Sequence, residues 1–251
     1  DGYFDVRIED NITSDFQNIY DGFNYMTSSI SSYIEENYRQ KSMRVESEFK
    51  ALQAQINPHF LYNTLDTIVW LAEAGQKEQV VSMVQTLSDF FRASLNSGKD
   101  IVSLEGECRH ITSYLQIQQV RYQDILTYDV DIPEEIANCK IPKITLQPLV
   151  ENALYHGIKN KRGKGRIVVT GRREKDKCVI RVEDNGIGMT KERLNQVRGG
   201  LTTKIEDSND FYGLYNVNER IRLKFGEEYG LSIDSVLQEG TCVEVWLPWE
   251  S

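Results

Sequence analysis

The chain has no run of about 18 consecutive apolar residues and no signal-peptide pattern, which excludes a membrane-spanning helix among these residues. It is short of positive charge. Twenty-nine Lys and Arg stand against 38 Asp and Glu, a formal net charge of −9, so no broad basic face can neutralise a nucleic-acid backbone and no nucleic-acid partner is expected. A few basic residues still suffice to meet a single nucleotide. Cysteine and histidine are scarce: Cys108, Cys139, Cys178 and Cys242 form no CxxC pair and there are only three histidines. That pattern argues against a zinc site or a disulfide scaffold and for the reduced thiols of a cytosolic protein. What is present, 251 residues with 40% hydrophobic and 27% charged, is enough for one large or two modest globular domains.

The stretch with the most chemistry is QINPHFLYNTL, Gln55 to Leu65. On a helix, Val45, Phe49, Leu52 and Ile56 share one apolar stripe and Leu61, Leu65, Ile68 and Ala72 share another, on a different side. The stripe changes sides at Pro58, where a missing N–H and a crowded ring predict a kink. His59 and Asn63, one turn apart, lie opposite the second stripe and face solvent. A plain helix boundary at Pro58 with a structural histidine after it is the competing reading.

Upstream, Ile19, Phe23, Met26, Ile30 and Tyr33 recur at spacings of four and three, a heptad pattern for a coiled coil or parallel bundle. The pattern restarts out of phase between Asn37 and Val45, an interruption of the stutter type. Downstream, the helix through His59 is expected to end near Ala72, turn around Gly75, and return as a second helix carrying Val80, Val84, Leu87 and Phe91 to about Gly98. A two-helix hairpin cannot bury both apolar faces alone, so two copies are expected to form a four-helix bundle in a homodimer.

A helix capped by Ser103 follows and carries Ile111, Tyr114 and Leu115 to about Tyr122; His110 on it is read as a solvated or packed residue. From Ile125 the pattern changes. LTYDVDIP alternates as a strand, IPKITLQPLVENALYHGIKN reads as one helix, and RIVVTGRR and CVIRVED form a hairpin across EKDK. A short helix from Lys191 to Val197, a polar loop from Arg198 to Tyr212, a helix from Leu214 to Phe225 and a second hairpin, LSIDSVL and TCVEVWLP, complete the chain. The expected fold is α+β, a helical coiled coil and hairpin followed by an α/β sandwich whose mixed sheet is mainly antiparallel.

VEDNGIGM, residues 182–189, ends a strand with an acid and two glycines that permit close backbone approach. It follows LVENALYHG by about thirty residues and precedes GLYNVNERI and EGT. This ordered set resembles the N, G1 and G2 boxes of the histidine-kinase/Hsp90/gyrase ATPase superfamily. QINPHFLYNTL resembles the phosphoacceptor box of sensor histidine kinases of the LytS/YehU/YesM type. Gly2 to about Ile34 resembles the connector and second helix of a HAMP linker without its first helix; a plain dimeric coiled coil fits those residues equally.

The resemblance implies ATP and Mg²⁺ as cofactors and assigns roles by position. His59 would accept the phosphoryl group, and Asn63 would position a water for dephosphorylating a partner, or pack beside the kink. Asn152 would coordinate Mg²⁺ between the ATP phosphates; His156 would point to the same phosphates or cap its helix end. Asp184 would read the adenine amino group, Gly186 and Gly188 would let the base rest on backbone, and Thr241 would sit nearby. Gly213 and Leu214 would open a helix toward phosphate, Asn216 and Arg220 serving packing, surface or nucleotide roles. Residues 198–212 would be an ATP lid.

Two departures stand out. ATP-hydrolysing members carry a glutamate four residues before the Mg²⁺ asparagine as general base; here that position is Pro148, which implies slow hydrolysis by water. Many histidine kinases carry an acid directly after the histidine, where this chain has Phe60. The implied reaction is attack of a neutral imidazole, ordinarily titrating near about 6.5, on the γ-phosphoryl group, catalysed by positioning and electrostatics. An aspartate on a response-regulator receiver domain would then take the phosphoryl group. The implied domains are a partial HAMP-like linker over 1–40, dimerisation and phosphotransfer helices over 41–100, and a catalytic ATP-binding domain over 101–251. The chain begins at Asp1, and the expectation is a cytoplasmic fragment of a protein anchored in the bacterial membrane by a segment outside it. A nucleotide-gated scaffold that binds without phosphorylating is the alternative.

Overall fold

The computed structural model describes residues 23–34, 36, 58–94, 100–201 and 212–249. Contacts divide the chain into two units, Asp1–Asn63 and Thr64–Ser251.

In the first unit, residues 23–34 are helical (α1) and their heptad residues Phe23, Met26, Ile30 and Tyr33 are all exposed. The connector, the phase break between Asn37 and Val45 and the stripe from Val45 to Ile56 lie outside the described residues. The helix α2 spans Pro58–Glu73, beginning with the proline in the first turn, where a missing N–H costs no hydrogen bond. The chain before Pro58, and with it the expected kink, again lies outside the described residues.

Within the second unit, the C-terminal end of α2 closes by a Schellman motif. Gly75, at φ 73, donates to Ala72 O at 3.0 Å while Gln76 donates to Leu71 O at 2.9 Å. The helix α3, Lys77–Ser94, starts immediately after, close to where the sequence puts it; the expected end near Gly98 falls outside the described residues. Several apolar side chains of this pair are uncovered, among them Leu65, Val69 and Trp70 on α2 and Val81 and Val84 on α3.

β1 (Ile101–Ser103) leads into α4 (Leu104–Arg121), whose N-cap Ser103 accepts from Gly106 N at 3.2 Å. Along α4, Ile111, Tyr114 and Leu115 are buried. His110 is buried too: its ring stacks on Phe90 of α3 with centroids 4.7 Å apart, and Nε2 lies 2.9 Å from Ser94 Oγ. Burial lowers the His110 pKa to about 4.

The remaining elements are β2 (Leu126–Asp131), β3 (Lys140–Pro142), α5 (Leu146–Asn152), β4 (Gly165–Glu174), β5 (Lys177–Asp184), α6 (Lys191–Gly200), α7 (Tyr212–Phe225), β6 (Gly230–Val236) and β7 (Gly240–Pro248). Five strands form one sheet in the order β2-β4-β5-β7-β6, with β1 and β3 pairing separately. Only β2 runs parallel to its neighbour in that sheet; the other pairs are antiparallel, as the hairpin spacing predicts. Alternating Ile167 and Val169 on β4, and Val243, Val245 and Leu247 on β7, are buried.

Two boundaries differ from the sequence reading. The segment before α5 is not helical: Lys140–Pro142 pairs with β1, and Ile144 at φ 56 cannot continue a helix. The helix α6 runs on to Gly200, so Arg198 and Gly199 belong to it and not to a loop; Arg198 Nε donates to Ile233 O at 2.9 Å, which anchors that turn to β6. The rest of the expected lid, residues 202–211, lies outside the described residues.

Candidate active site

His59, in the first unit, is exposed on α2, but so is Leu65 of the stripe expected to be covered on the other side. Asn63, one turn after His59, is half-buried, and Phe60 between them is buried. The helix therefore turns its outer face at the histidine and a more sheltered one at the asparagine.

The second unit holds a cavity of about 390 Å³, within the range of small-molecule sites. Register builds one wall. β5 and β7 pair so that Asp184 is opposite Thr241, joining the ends of two motifs about sixty residues apart in sequence. Asp184 is buried, and its Oδ1 accepts from Gly186 N at 2.8 Å. Burial pushes its carboxyl up to about 6, against the pull of backbone donors at Gly186 and Thr241. Glycine is required around it. A Cβ on Gly157 would come within 2.5 Å of Asp184 Oδ1, and one on Gly186 would strike the Gly157 backbone. Gly188, at φ 61, presses so closely on the β6–β7 turn that a Cβ would collide with Val236 O. Met189 N donates to Ser235 Oγ at 2.9 Å, and Ser235 Oγ donates to Gly240 O, so this serine ties the glycine loop to that turn.

A second, adjoining wall comes from α5 and the turn that extends it. After Asn152 the helix widens into a π-turn, Ala153–Ile158, with Lys159 N donating to Leu154 O. Asn152 and His156 both line the cavity on this wall. The alternative of His156 as a helix-end cap is filled by another residue: Asn160 Nδ2 donates to the carbonyls of Tyr155 and His156 at 3.2 and 3.3 Å.

Of the sequence-predicted residues, Asn152, His156, Asp184, Gly188, Leu214 and Thr241 converge on the cavity. Gly186 and Gly213 do not line it. Gly186 is buried behind the Asp184 carboxylate, whereas Gly213 is exposed at the start of α7. Arg193 and Thr190 line the cavity without having been picked out from sequence. Their signal was available in the helix start just after the glycine motif, where the Thr190 side chain caps α6 by accepting from Arg193 N at 3.2 Å. Asn218 was also missed. Buried on α7, it donates to Leu201 O and accepts from Leu231 N, both at 2.8 Å, clamping α6 to β6. Its neighbour Asn216 is exposed.

The profile described as histidine kinase matches residues 47–126, the segment holding His59, and that of the histidine kinase-, DNA gyrase B- and HSP90-like ATPases matches residues 142–251, the segment holding the cavity. Sensor histidine kinase YesM of Bacillus subtilis is 40% identical over 227 residues, covering 90% of this chain and 37% of its own length. Over most of its length the chain is similar to sensor histidine kinases. Sensor histidine kinase BtsS of Escherichia coli is 36% identical over 84% of the chain and 35% of its own length. Sensor protein LytS of Staphylococcus saprophyticus is 35% identical over 84% of the chain and 35% of its own length. The chain thus spans little more than a third of the sensor histidine kinases it matches. Among its described residues, no helix is long and apolar enough to cross a membrane.

Proposed function

We propose that this chain is the cytoplasmic part of a membrane-anchored two-component sensor kinase, which transfers the γ-phosphoryl group of ATP to His59 and then to an aspartate of a response-regulator receiver domain. The observation that carries the reading is the cavity itself: a buried carboxylate at Asp184, backed by glycine, lines with Asn152 and His156 a single space of small-molecule size. Asp184 accepts a hydrogen bond from the adenine amino group, the apolar side chains of Leu149, Val182, Ile233 and Val243 contact the base, and Asn152 and His156 meet the phosphates.

Mg²⁺ fits this donor set. Among the described residues, no cluster of three His, Cys, Asp or Glu is placed to hold an ion, so the protein offers no cage. Asn152 contributes a hard amide oxygen on the cavity wall, and the remaining positions suit phosphate and water, the coordination Mg²⁺ prefers. When bound, the ion neutralises charge developing on the phosphoryl oxygens.

In the transfer, a ring nitrogen of His59 bonds to the γ-phosphorus while the bond to the β,γ-bridging oxygen breaks; ADP leaves with that oxygen, and the remaining ring N–H proton goes to solvent. Competition from water is weak for a structural reason. Pro148 occupies the position of a hydrolytic base, and Glu151 does not line the cavity but accepts from Gln147 Nε2 at 2.9 Å. Burial raises the Glu151 carboxyl, and Gln147 and Tyr114 pull it down.

The exposed apolar residues of α1, α2 and α3 support assembly as a homodimer through paired hairpins, with residues 1–40 as signalling linker, 41–100 as phosphotransfer helices and 101–251 as catalytic domain. Asn63 is assigned to positioning a water when phosphate is removed from the regulator. The test is to incubate the chain with Mg²⁺ and γ-labelled ATP. Label stable to base, lost in acid and absent from His59→Gln supports the transfer. ATP binding with no label would instead favour a nucleotide-gated binding module.

A further inference from the structure

Glu107, on α4, is a carboxylate only 3% exposed, and the reaction outlined above makes no use of it. Its oxygens accept three consecutive backbone N–H groups: Ile144 at 3.0 Å, Thr145 at 2.6 Å and Leu146 at 2.9 Å. These are the groups that open α5, and they have no other cap. Thr145 occupies the N-cap position but makes no side-chain cap, because its hydroxyl donates to Pro142 O at 2.6 Å. The acceptor that a capping residue normally supplies locally is therefore delivered by a different helix.

A second residue completes the arrangement. Ile144 sits at φ 56, a left-handed conformation that a branched side chain rarely adopts, and its carbonyl accepts from Arg220 Nη2 of α7 at 2.9 Å. The Arg220 charge also attracts Glu107. Burial holds the Glu107 carboxyl above its ordinary value, against the pull of the three amides and Arg220. Such a buried carboxylate persists only while its partners stay in place.

The geometry bears on Asn152 because α5 is short. From Leu146 to Asn152 the helix rises about 9 Å, under two turns, before the π-turn begins. A shift or rotation at its first residue is therefore carried to Asn152 with little room to relax.

We propose that Glu107 is a positioning residue for Mg²⁺–nucleotide binding: it pins the first turn of α5, with Arg220 holding the adjoining Ile144, and so fixes where Asn152 presents its amide oxygen. The proposal rests on the assignment of Asn152 as the Mg²⁺-facing residue. Partners that orient a metal-facing side chain typically influence metal affinity about 10- to 100-fold.

The experiment titrates ATP into the whole chain by calorimetry, once with Mg²⁺ and once with EDTA, for the unaltered protein, Glu107→Gln, Arg220→Met and Asp184→Ala. Glu107→Gln is expected to change Mg²⁺-free affinity less than about twofold and to reduce the Mg²⁺-dependent gain about tenfold. Arg220→Met is expected to move the same quantity in the same direction, by about threefold. A purely structural role would weaken both titrations together or lower only the melting temperature, and that result overturns the proposal. So does an unchanged Mg²⁺-dependent gain in folded Glu107→Gln. If Glu107→Gln does not fold, an unchanged gain in Arg220→Met, which alters an exposed residue, overturns it equally. ATP binding that survives Asp184→Ala at full strength marks the failure of the nucleotide-site reading itself, and this inference falls with it.

Discussion

With Asp184 as the proposed acceptor for the adenine amino group, affinity should depend on pH, in a direction and by an amount that follow from the burial of its carboxyl. Its carboxyl is 5% exposed and its pKa is raised from 3.8 to about 6 in the empty fold. An ionised carboxyl is the stronger acceptor for an amino group, so binding weakens as pH falls through about 6. At pH 7 about nine-tenths of the sites are ionised; at pH 5 about one-tenth are, an expected loss in affinity of up to about tenfold, or about 1.4 kcal/mol. Adenosine is the ligand to use, since it has no phosphate titrating in this window. Calorimetric titration between pH 7.5 and 5 should show the decline, and Asp184→Asn should bind weakly with no such slope. The same shift has the opposite effect on the empty protein. A raised carboxyl binds its proton more readily in the folded state, so its contribution to stability is fully present below about pH 4 and is lost as pH rises through 6. Its size is about 3 kcal/mol. Adenosine affinity that stays flat or rises as pH falls to 5 would refute the assignment of Asp184 as the acceptor.

Four further outcomes can be checked. His59→Gln should abolish acid-labile labelling while leaving ATP affinity within about twofold, measured by filter binding beside the labelling assay. His110, with its pKa lowered to about 4, contributes stability that is lost as pH falls from 6.5 through 4. Chemical denaturation of His110→Phe should thus show its stability rising relative to the unaltered protein by about 3 kcal/mol between pH 7 and 4. Gly157→Ala would force a methyl onto the Asp184 carboxylate and should cost about 1–3 kcal/mol in thermal unfolding as well as most nucleotide affinity. Leu65→Asp with Val69→Asp places two charges on the uncovered face of α2 and should shift the chain toward monomer in sedimentation; an unchanged dimer would refute pairing through that face.

How much of this was legible in sequence depended on the range of the interaction. Strands and hairpins were visible because their signals are local: alternation in RIVVTGRR and CVIRVED, and a charged turn between them. The convergence of Asn152, Asp184 and Thr241 was visible only through ordered motifs, since the β5–β7 register that pairs Asp184 with Thr241 has no local signature. The helix start was misread at IPKIT because the residues suit a helix and what overrides them is distant: pairing of Lys140–Pro142 with β1 and the reach of Glu107 from α4. Likewise, His110 gave no sign in sequence of being buried, because Phe90 and Ser94 belong to another helix. The extension of α6 through two glycines ran against propensity, and Arg198 bound to Ile233 O accounts for part of it.

The π-turn from Ala153 to Ile158 makes the length of this segment part of its chemistry. Such a turn is equivalent to an α-helix holding one residue too many. Removing a residue there would allow a regular α-helix and re-space the side chains within the turn, Gly157 among them. Gly157 would then be displaced from the Asp184 carboxylate and a bulkier neighbour brought toward it. The site is encoded by a count of residues as much as by their identities, so single-residue deletions are its most damaging small lesions, and substitution scans alone would miss that dependence.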